Sequence, residues 1–278
     1  MNWSLRSLYQ RWGDTLKFCL WGLLLSLACY LLVHVLVNRD VTHLVPLSVD
    51  GRDSLLTVHV PREAGDTLVR REAFAVHFNR GRGIANCAEY ELLASELHGA
   101  QERAGEFARD PGVAGCPDVG DYAGSGMDRG HLVPAADLKW SPQAMRQSFL
   151  LTNVCPMHKA LNEGGWAKLE EKVREWVVRD SALLVIAGPI VIATDTTLAS
   201  GKVTVPSRYF KVVMAPCVRP MRAIAFIYPN GPCGGRLREY AVSVDEVERQ
   251  TGLDFFPLLP SDVQQRLESP VNLDAWLN

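Results

Sequence analysis

The sequence predicts an α+β fold, with one apolar helix ahead of a single mixed domain. Three observations carry this. Residues 18–37 read FCLWGLLLSLACYLLVHVLV, with no acidic or strongly basic side chain. Residues 127–179 run in the order strand, loop, strand, helix. Tyr209–Ala215 and Arg222–Tyr228 alternate like paired strands.

The apolar run is long enough to cross a bilayer, which takes about 20 residues, whereas a cleavable signal core is about 7–15. It ends Val37-Asn38-Arg39-Asp40 without small residues at a cleavage position, so an uncleaved anchor is expected. Arg6, Arg11 and Lys17 precede it, with only Asp14 opposing them. The positive-inside rule then puts 1–17 in the cytoplasm and the rest on the far side, the periplasm in a bacterium and the intermembrane space or lumen in an organelle. Residues 38–69 form a linker or lead-in, and 70–278 form the domain.

Within that domain, residues 71–83 predict a strand running into a Gly-rich turn. Residues 86–105 have helical spacing, with Ala88, Leu92, Leu93 and Leu97 on one face. A long Gly, Pro and Asp-rich loop spans 110–127. Met127–Pro134 is a strand, Ala135–Met145 a connecting loop, and Ser148–Cys155 a second strand. Asn162–Arg179 is a helix with Trp166, Leu169, Val173, Trp176 and Val177 along one side. Leu183–Ala193 is a buried strand broken at Gly188-Pro189. Ser243 with Glu246 opens a helix that Gly252 stops, and Ser261 with Gln264 opens a last one.

The composition, 47% hydrophobic and 22% charged, is that of an ordinary globular chain and excludes disordered and repeat classes. Net charge is -2. Nucleic-acid binders are usually basic, so a polyanionic substrate would need a local groove, for which Arg70, Arg71, Arg80, Arg82 and Arg129 are candidates. Outside the apolar run lie Cys87, Cys116, Cys155, Cys217 and Cys233, an odd number. In an oxidising compartment Cys217 and Cys233, around a hairpin, are one candidate pair.

The densest chemistry is in the strand–strand–helix unit. Phosphodiester hydrolysis needs a base for water, positive charge on the developing phosphorane, and a proton for the leaving oxygen. His131, beside Asp128, Arg129 and Gly130, fits the base, although a lone histidine is more often a core or surface residue. Asn162 offers an amide oxygen to a hard cation, or alternatively caps its helix. On a regular helix Glu170 lies about 12 Å further along, so it suits a metal-bound water or the outer shell; otherwise it pairs with Arg174. Asn153 can orient the base or the phosphate, or simply form a turn before Pro156.

These residues resemble the DNA/RNA non-specific endonuclease family. Its D-R-G-H stands at Asp128–His131, its N-x-x-P at Asn153–Pro156, and its L-N-x-x-x-W-x-x-L-E at Leu161–Glu170. The similarity covers roughly 70–257. Met157 and Cys155 depart from the family's usual Gln and Ser. The resemblance implies a ββα-metal (His-Me finger) fold with a central, mostly antiparallel sheet flanked by helices. It implies metal-dependent cleavage of DNA and RNA with little sequence preference, Mg2+ (or Mn2+) as cofactor, His131 as base and Asn162 as sole direct metal ligand. Glu170 and Asn153 support them, Arg129 and Asp128 face the substrate, and a phosphate-clamping arginine before the first helix falls on Arg82, with Arg80 competing. The expected partners are nucleic acid, the membrane through 18–37, and a second copy in a homodimer. The alternatives are a phosphodiesterase for another diester and a catalytically silent binding module.

Overall fold

The computed structural model describes residues 57–61, 66–103 and 105–277. The anchor expected at 18–37 and the segment before it lie outside these. Among the described residues no helix is long and apolar enough to cross a membrane. Residues 52–278 form one compact unit.

Thirteen strands are described: β1 (Val58–His59), β2 (Asp66–Arg70), β3 (Phe74–Asn79), β4 (Ile84–Leu93), β5 (Asp128–His131), β6 (Val154–Met157), β7 (Ala182–Ile190), β8 (Thr196–Thr197), β9 (Thr204–Val205), β10 (Arg208–Ala215), β11 (Arg222–Pro229), β12 (Ala241–Val242) and β13 (Asp254–Phe255). Seven of them form the central sheet, in the order β12-β11-β10-β7-β4-β3-β2, every neighbouring pair antiparallel. The edge strand β2 falls inside the stretch expected as lead-in. The helices are α1 (Pro142–Ser148), α2 (Ala167–Asp180), α3 (Val244–Thr251), α4 (Ser261–Glu268) and α5 (Asp274–Leu277).

The two faces of the sheet are read off β10, since neighbouring residues in a strand point to opposite sides. Tyr209 meets Trp166 at 5.8 Å between ring centroids, and Phe210 meets Phe255 at 5.8 Å. One face therefore carries α2 and the turn before it, and the other carries β13, while Trp276 of α5 returns to the α2 side, 4.9 Å from the Trp176 ring. The apolar side expected for α2 is buried throughout, from Trp166 through Val177. Lys211 shares the Tyr209 face, which brings it to the site described below.

Three expectations need correction. Residues 86–105 are not a helix: 84–93 are β4, followed by a 3-10 turn at Ala94–His98. Ala88 and Leu92 lie four apart, a spacing that suits both periods, and pairing with β3 and β7 on either side decides for strand. The loop expected at 135–145 contains the start of α1. Its Ser141 side chain accepts from the Ala144 N–H at 3.2 Å and Pro142 occupies the first turn, where a missing N–H costs nothing. The second finger strand begins at Val154 rather than Ser148, because 151–153 form a 3-10 turn.

The strand expected to break at Gly188-Pro189 runs on to Ile190. Its pairing with β4 stops at Ala187, so Pro189 faces a partner, Tyr209 of β10, on one side only; a residue without an N–H is tolerated there. The described cysteines are all unbridged. Cys217 lies beyond one end of β11 and Cys233 beyond the other, so eight residues of strand, about 26 Å at 3.3 Å each, separate two thiols whose Cα atoms would need to be within about 7 Å.

Candidate active site

β5 and β6 form a short antiparallel ribbon, with Asp128 opposite Met157 and His131 opposite Val154. Alternation along β5 puts Arg129 and His131 on one side and Asp128 and Gly130 on the other. Gly130 is required by its neighbour: a Cβ there would lie 2.6 Å from the Cβ of Met157. The space left by the missing side chain is thus filled by the methionine that departs from the family pattern.

The ribbon is pinned to the segment before α2 at two points. Asn162 Nδ2 donates to Asp128 Oδ2 at 3.0 Å, and Trp166 Nε1 donates to the His131 carbonyl at 3.3 Å. A carboxylate only accepts, so the contact fixes which way the Asn162 amide faces and commits its nitrogen, leaving the lone pairs of Oδ1 for anything else. Asn162 does not cap a helix. Its own N–H bonds the His158 carbonyl at 2.9 Å, inside a π turn, Leu161–Trp166. At Gly164 the backbone leaves helical geometry (φ -112°, ψ -105°), so the spacing of a regular helix does not apply between Asn162 and Glu170.

His131 is half-buried between two rings, Phe149 at 4.9 Å and Phe107 at 5.2 Å. Its Nε2 is buried without a hydrogen-bond partner. Burial, helped by the positive charge of Arg103, holds the imidazole down at about 3, so the ring is neutral across the ordinary range. Arg103 lies over the Phe149 ring at 5.6 Å, and Arg129 over Phe107 at 4.6 Å. The two guanidinium groups therefore border the aromatic walls that hold the His131 ring.

Glu170 faces Lys211, Oε1 to Nζ 3.8 Å. It does not pair with Arg174, which bonds Asp137 Oδ1 at 2.9 Å, while Tyr90 donates to the other Asp137 oxygen at 2.8 Å. Burial pushes Glu170 up to about 7, with Lys211 opposing the rise. Lys211 is itself fully buried, with its Nζ 4.4 Å from the Trp166 ring centroid and no hydrogen-bond partner. Burial pulls its pKa down, and Glu170 and Asp137 resist.

Three of the expected site residues lie elsewhere. Asn153 is 0% exposed, and its amide is consumed by backbone: Oδ1 accepts from Val133 N–H at 3.0 Å, and Nδ2 donates to Val133 O at 2.9 Å and Ser148 O at 3.0 Å. It cannot touch a phosphate; it fixes the chain two residues after His131. Arg82 and Arg80 sit in the turn between β3 and β4, not before a helix. The peptide N–H of Arg82 is held by Asn79 Oδ1 at 3.0 Å, its carbonyl by Thr204 at 2.9 Å, and both arginine side chains are exposed. The arginine whose charge acts on both His131 and Glu170 is Arg103. No local pattern singles it out, and it fell inside the stretch read as a helix.

Known proteins are similar to this chain. The family model of the DNA/RNA non-specific endonucleases matches residues 52–262. A nuclease of Nostoc sp. is 34% identical over 221 residues, 74% of this chain and 78% of that protein. The mitochondrial nuclease EXOG of Danio rerio is 35% identical over 208 residues, 68% of this chain but only 59% of its own length. In a crystal structure of the EndoG/EndoGI complex the fold recurs with a TM-score of 0.66 at 22% identity, over 73% of this chain and 89% of the other. The chain belongs to the DNA/RNA non-specific endonuclease family and is a hydrolase of phosphodiester bonds.

Proposed function

We propose that the β5–β6 ribbon, the π turn and α2 act as a ββα-metal finger that cuts DNA and RNA with little sequence preference. His131 serves as general base, and Asn162 as the sole direct protein ligand of a Mg2+ ion, with Mn2+ as a substitute. The observation that carries this is the Asn162–Asp128 hydrogen bond. It places an oriented amide oxygen on the element packed against the strand of the base. The donor set fits the ion: Oδ1 is a hard oxygen not spent on helix capping, and hard cations of this size accept few protein ligands and keep their waters. When bound, such an ion offsets the charge that develops on the phosphorane and the leaving oxygen.

The remaining parts are side chains of the chain itself. His131 is neutral and can accept a proton from water. Burial, with Arg103 adding to it, holds its pKa down in the free enzyme, and a phosphodiester seated against Arg103 and Arg129 cancels the part that Arg103 supplies. The base then strengthens when substrate arrives. Asp128 acts as a positioning residue for Asn162, a role different from the substrate contact expected. Glu170, ionised above about pH 7, directs negative charge toward the outer shell of the ion. Phosphate contacts carry no base readout, which accounts for weak sequence preference.

The test is cleavage of supercoiled plasmid and of RNA by the full chain, with and without EDTA. His131→Ala should lower kcat by about 10²–10⁴-fold, the span of general-base catalysis, while the protein stays folded. A His131→Ala protein that still cuts at more than a tenth of the wild-type rate would overturn the assignment. We further propose that 18–37 anchors the chain with the nuclease outside the cytoplasm, which separates it from the cell's own genome. A C-terminal reporter fusion active only in the cytoplasm would contradict this.

A further inference from the structure

A second group of acidic side chains, none of them assigned a role above, lies in the C-terminal part. Asp245 and Glu248 stand three apart on α3, so they share a face. Glu268 is the last residue of α4. One carboxylate oxygen from each lies within 4.8 Å of the other two. The Ser269 hydroxyl donates to Asp245 Oδ2 at 2.8 Å, and Glu248 Oε1 accepts the Phe255 N–H at 2.7 Å.

An acidic cluster alone says little, because exposed carboxylates are common. Glu268 is different. It is 6% exposed, and its Oε1 is buried with no hydrogen-bond partner. A buried carboxylate oxygen without a donor costs free energy unless a cation or proton meets it. Nearby basic side chains are committed elsewhere: Arg249 to Glu246 and Arg266 to Asp262. Among the described residues no lysine or arginine forms an ion pair with Asp245, Glu248 or Glu268.

We propose that Asp245, Glu248 and Glu268 form a Ca2+ site that ties α4 to α3. All three ligands are hard oxygens, which excludes the nitrogen and sulfur preference of zinc. Three protein carboxylates suit Ca2+, which takes six to eight oxygens at about 2.3–2.6 Å. Mg2+ dehydrates reluctantly and is usually held by only one or two. The span of the oxygens matches a Ca2+ shell, whose diameter is about 5 Å. Without the ion, protons must take its place. Burial, reinforced by the neighbouring carboxylates, pushes Glu248 up to about 7 and Glu268 up to about 8. The ion and the protons therefore compete for the same oxygens.

The experiment is thermal unfolding of the full chain against CaCl2, on wild type, Glu268→Gln and Asn162→Ala. Asn162→Ala removes the proposed ligand at the finger and so separates the two sites. Wild type and Asn162→Ala should both gain roughly 5–10 °C in Tm at about 100 times Kd. Glu268→Gln, which keeps the shape and removes the charge, should show no Ca2+-dependent gain and should cut plasmid in Mg2+ within about twofold of wild type. Three results would each overturn the proposal: no Ca2+ effect on wild type at millimolar concentration, a full effect in Glu268→Gln, or loss of the effect in Asn162→Ala. A stabilisation that follows acidification but ignores Ca2+ would identify a carboxyl pair sharing a proton instead.

Discussion

The finger and the C-terminal cluster both bury carboxylates, and in both the burial raises a glutamate pKa to about 7–8. They differ in what stands opposite. Glu170 has Lys211 at 3.8 Å and lies within the field of Arg174 and Arg103. Glu268 has only Glu248, Asp245 and Asp254 in its surroundings, each making its charge harder to hold. The finger thus carries its countercharge in the chain, whereas the C-terminal cluster has none from the basic side chains among the described residues and is left to a proton or, as proposed, a cation. A catalytic site gains from the first arrangement, because its electrostatics are set before substrate arrives. A clamp between two helices can accept the second, since holding a cation is all it needs to do.

The largest expected effect, after loss of the base, tests which guanidinium belongs to the finger. Arg103→Ala should lower kcat/KM on plasmid by about 10²–10³-fold, the cost of removing one preorganised charge at a phosphate. Arg82→Ala, at an exposed turn outside the surroundings of His131, should stay within about threefold. If Arg82→Ala is the more damaging of the two, the clamp has been assigned to the wrong arginine. Asp128→Ala comes next. Removing the partner that orients a metal ligand typically costs 10–100-fold in metal affinity. The Mg2+ concentration for half-maximal activity should therefore rise by about that factor, while saturating Mg2+ restores most of the rate. A fall in rate that no amount of Mg2+ repairs would make Asp128 a direct participant.

Much of this was legible before the fold was known, and the parts that were not share a physical cause. β7, β10 and β11 and the buried side of α2 show in the sequence because their periodicity is local. His131, Asn162 and Glu170 stand out as candidates because they fall in motifs that resemble those of a known family, in the same order. The β4 segment fails that test: Ala88 and Leu92 fit a helix as well as a strand, and only pairing with β3 and β7 settles it. Arg103 is invisible for a related reason. Its place depends on Phe149, forty-six positions later in the chain, standing beneath it. Asn153 was visible as a conspicuous polar residue, but its burial, and hence its service to the backbone of Val133 and Ser148, was not. The π turn at Leu161–Trp166 hid the true relation of Asn162 to Glu170, because a regular helix was the only available ruler.

The smallest expected effect converts one region toward the other. Lys211→Met keeps a long unbranched side chain beside Trp166 and removes the buried Nζ that lacks a hydrogen-bond partner; Glu170 can then take up a proton in place of its countercharge, so folding should survive near neutrality. Lys211 lowers the Glu170 pKa; without it Glu170 must rise above about 7. The free base gives no acid limb near neutrality, since His131 is held at about 3. Any rise of kcat/KM through pH 7 then reports Glu170 ionising. In Lys211→Met that limb should move to higher pH, with a several-fold loss at pH 7 recovered at pH 9. Stability should follow the same group. A carboxyl whose folded pKa lies above its ordinary 4.5 binds its proton more tightly folded than unfolded. Its contribution is therefore present below about 4.5 and is lost as pH rises through the folded pKa. The variant should lose stability over a wider pH range than wild type, in thermal unfolding followed from pH 5 to 9. If neither the rate profile nor the melting profile moves, Lys211 does not supply the countercharge of the finger, and the contrast with the C-terminal cluster fails at its catalytic end.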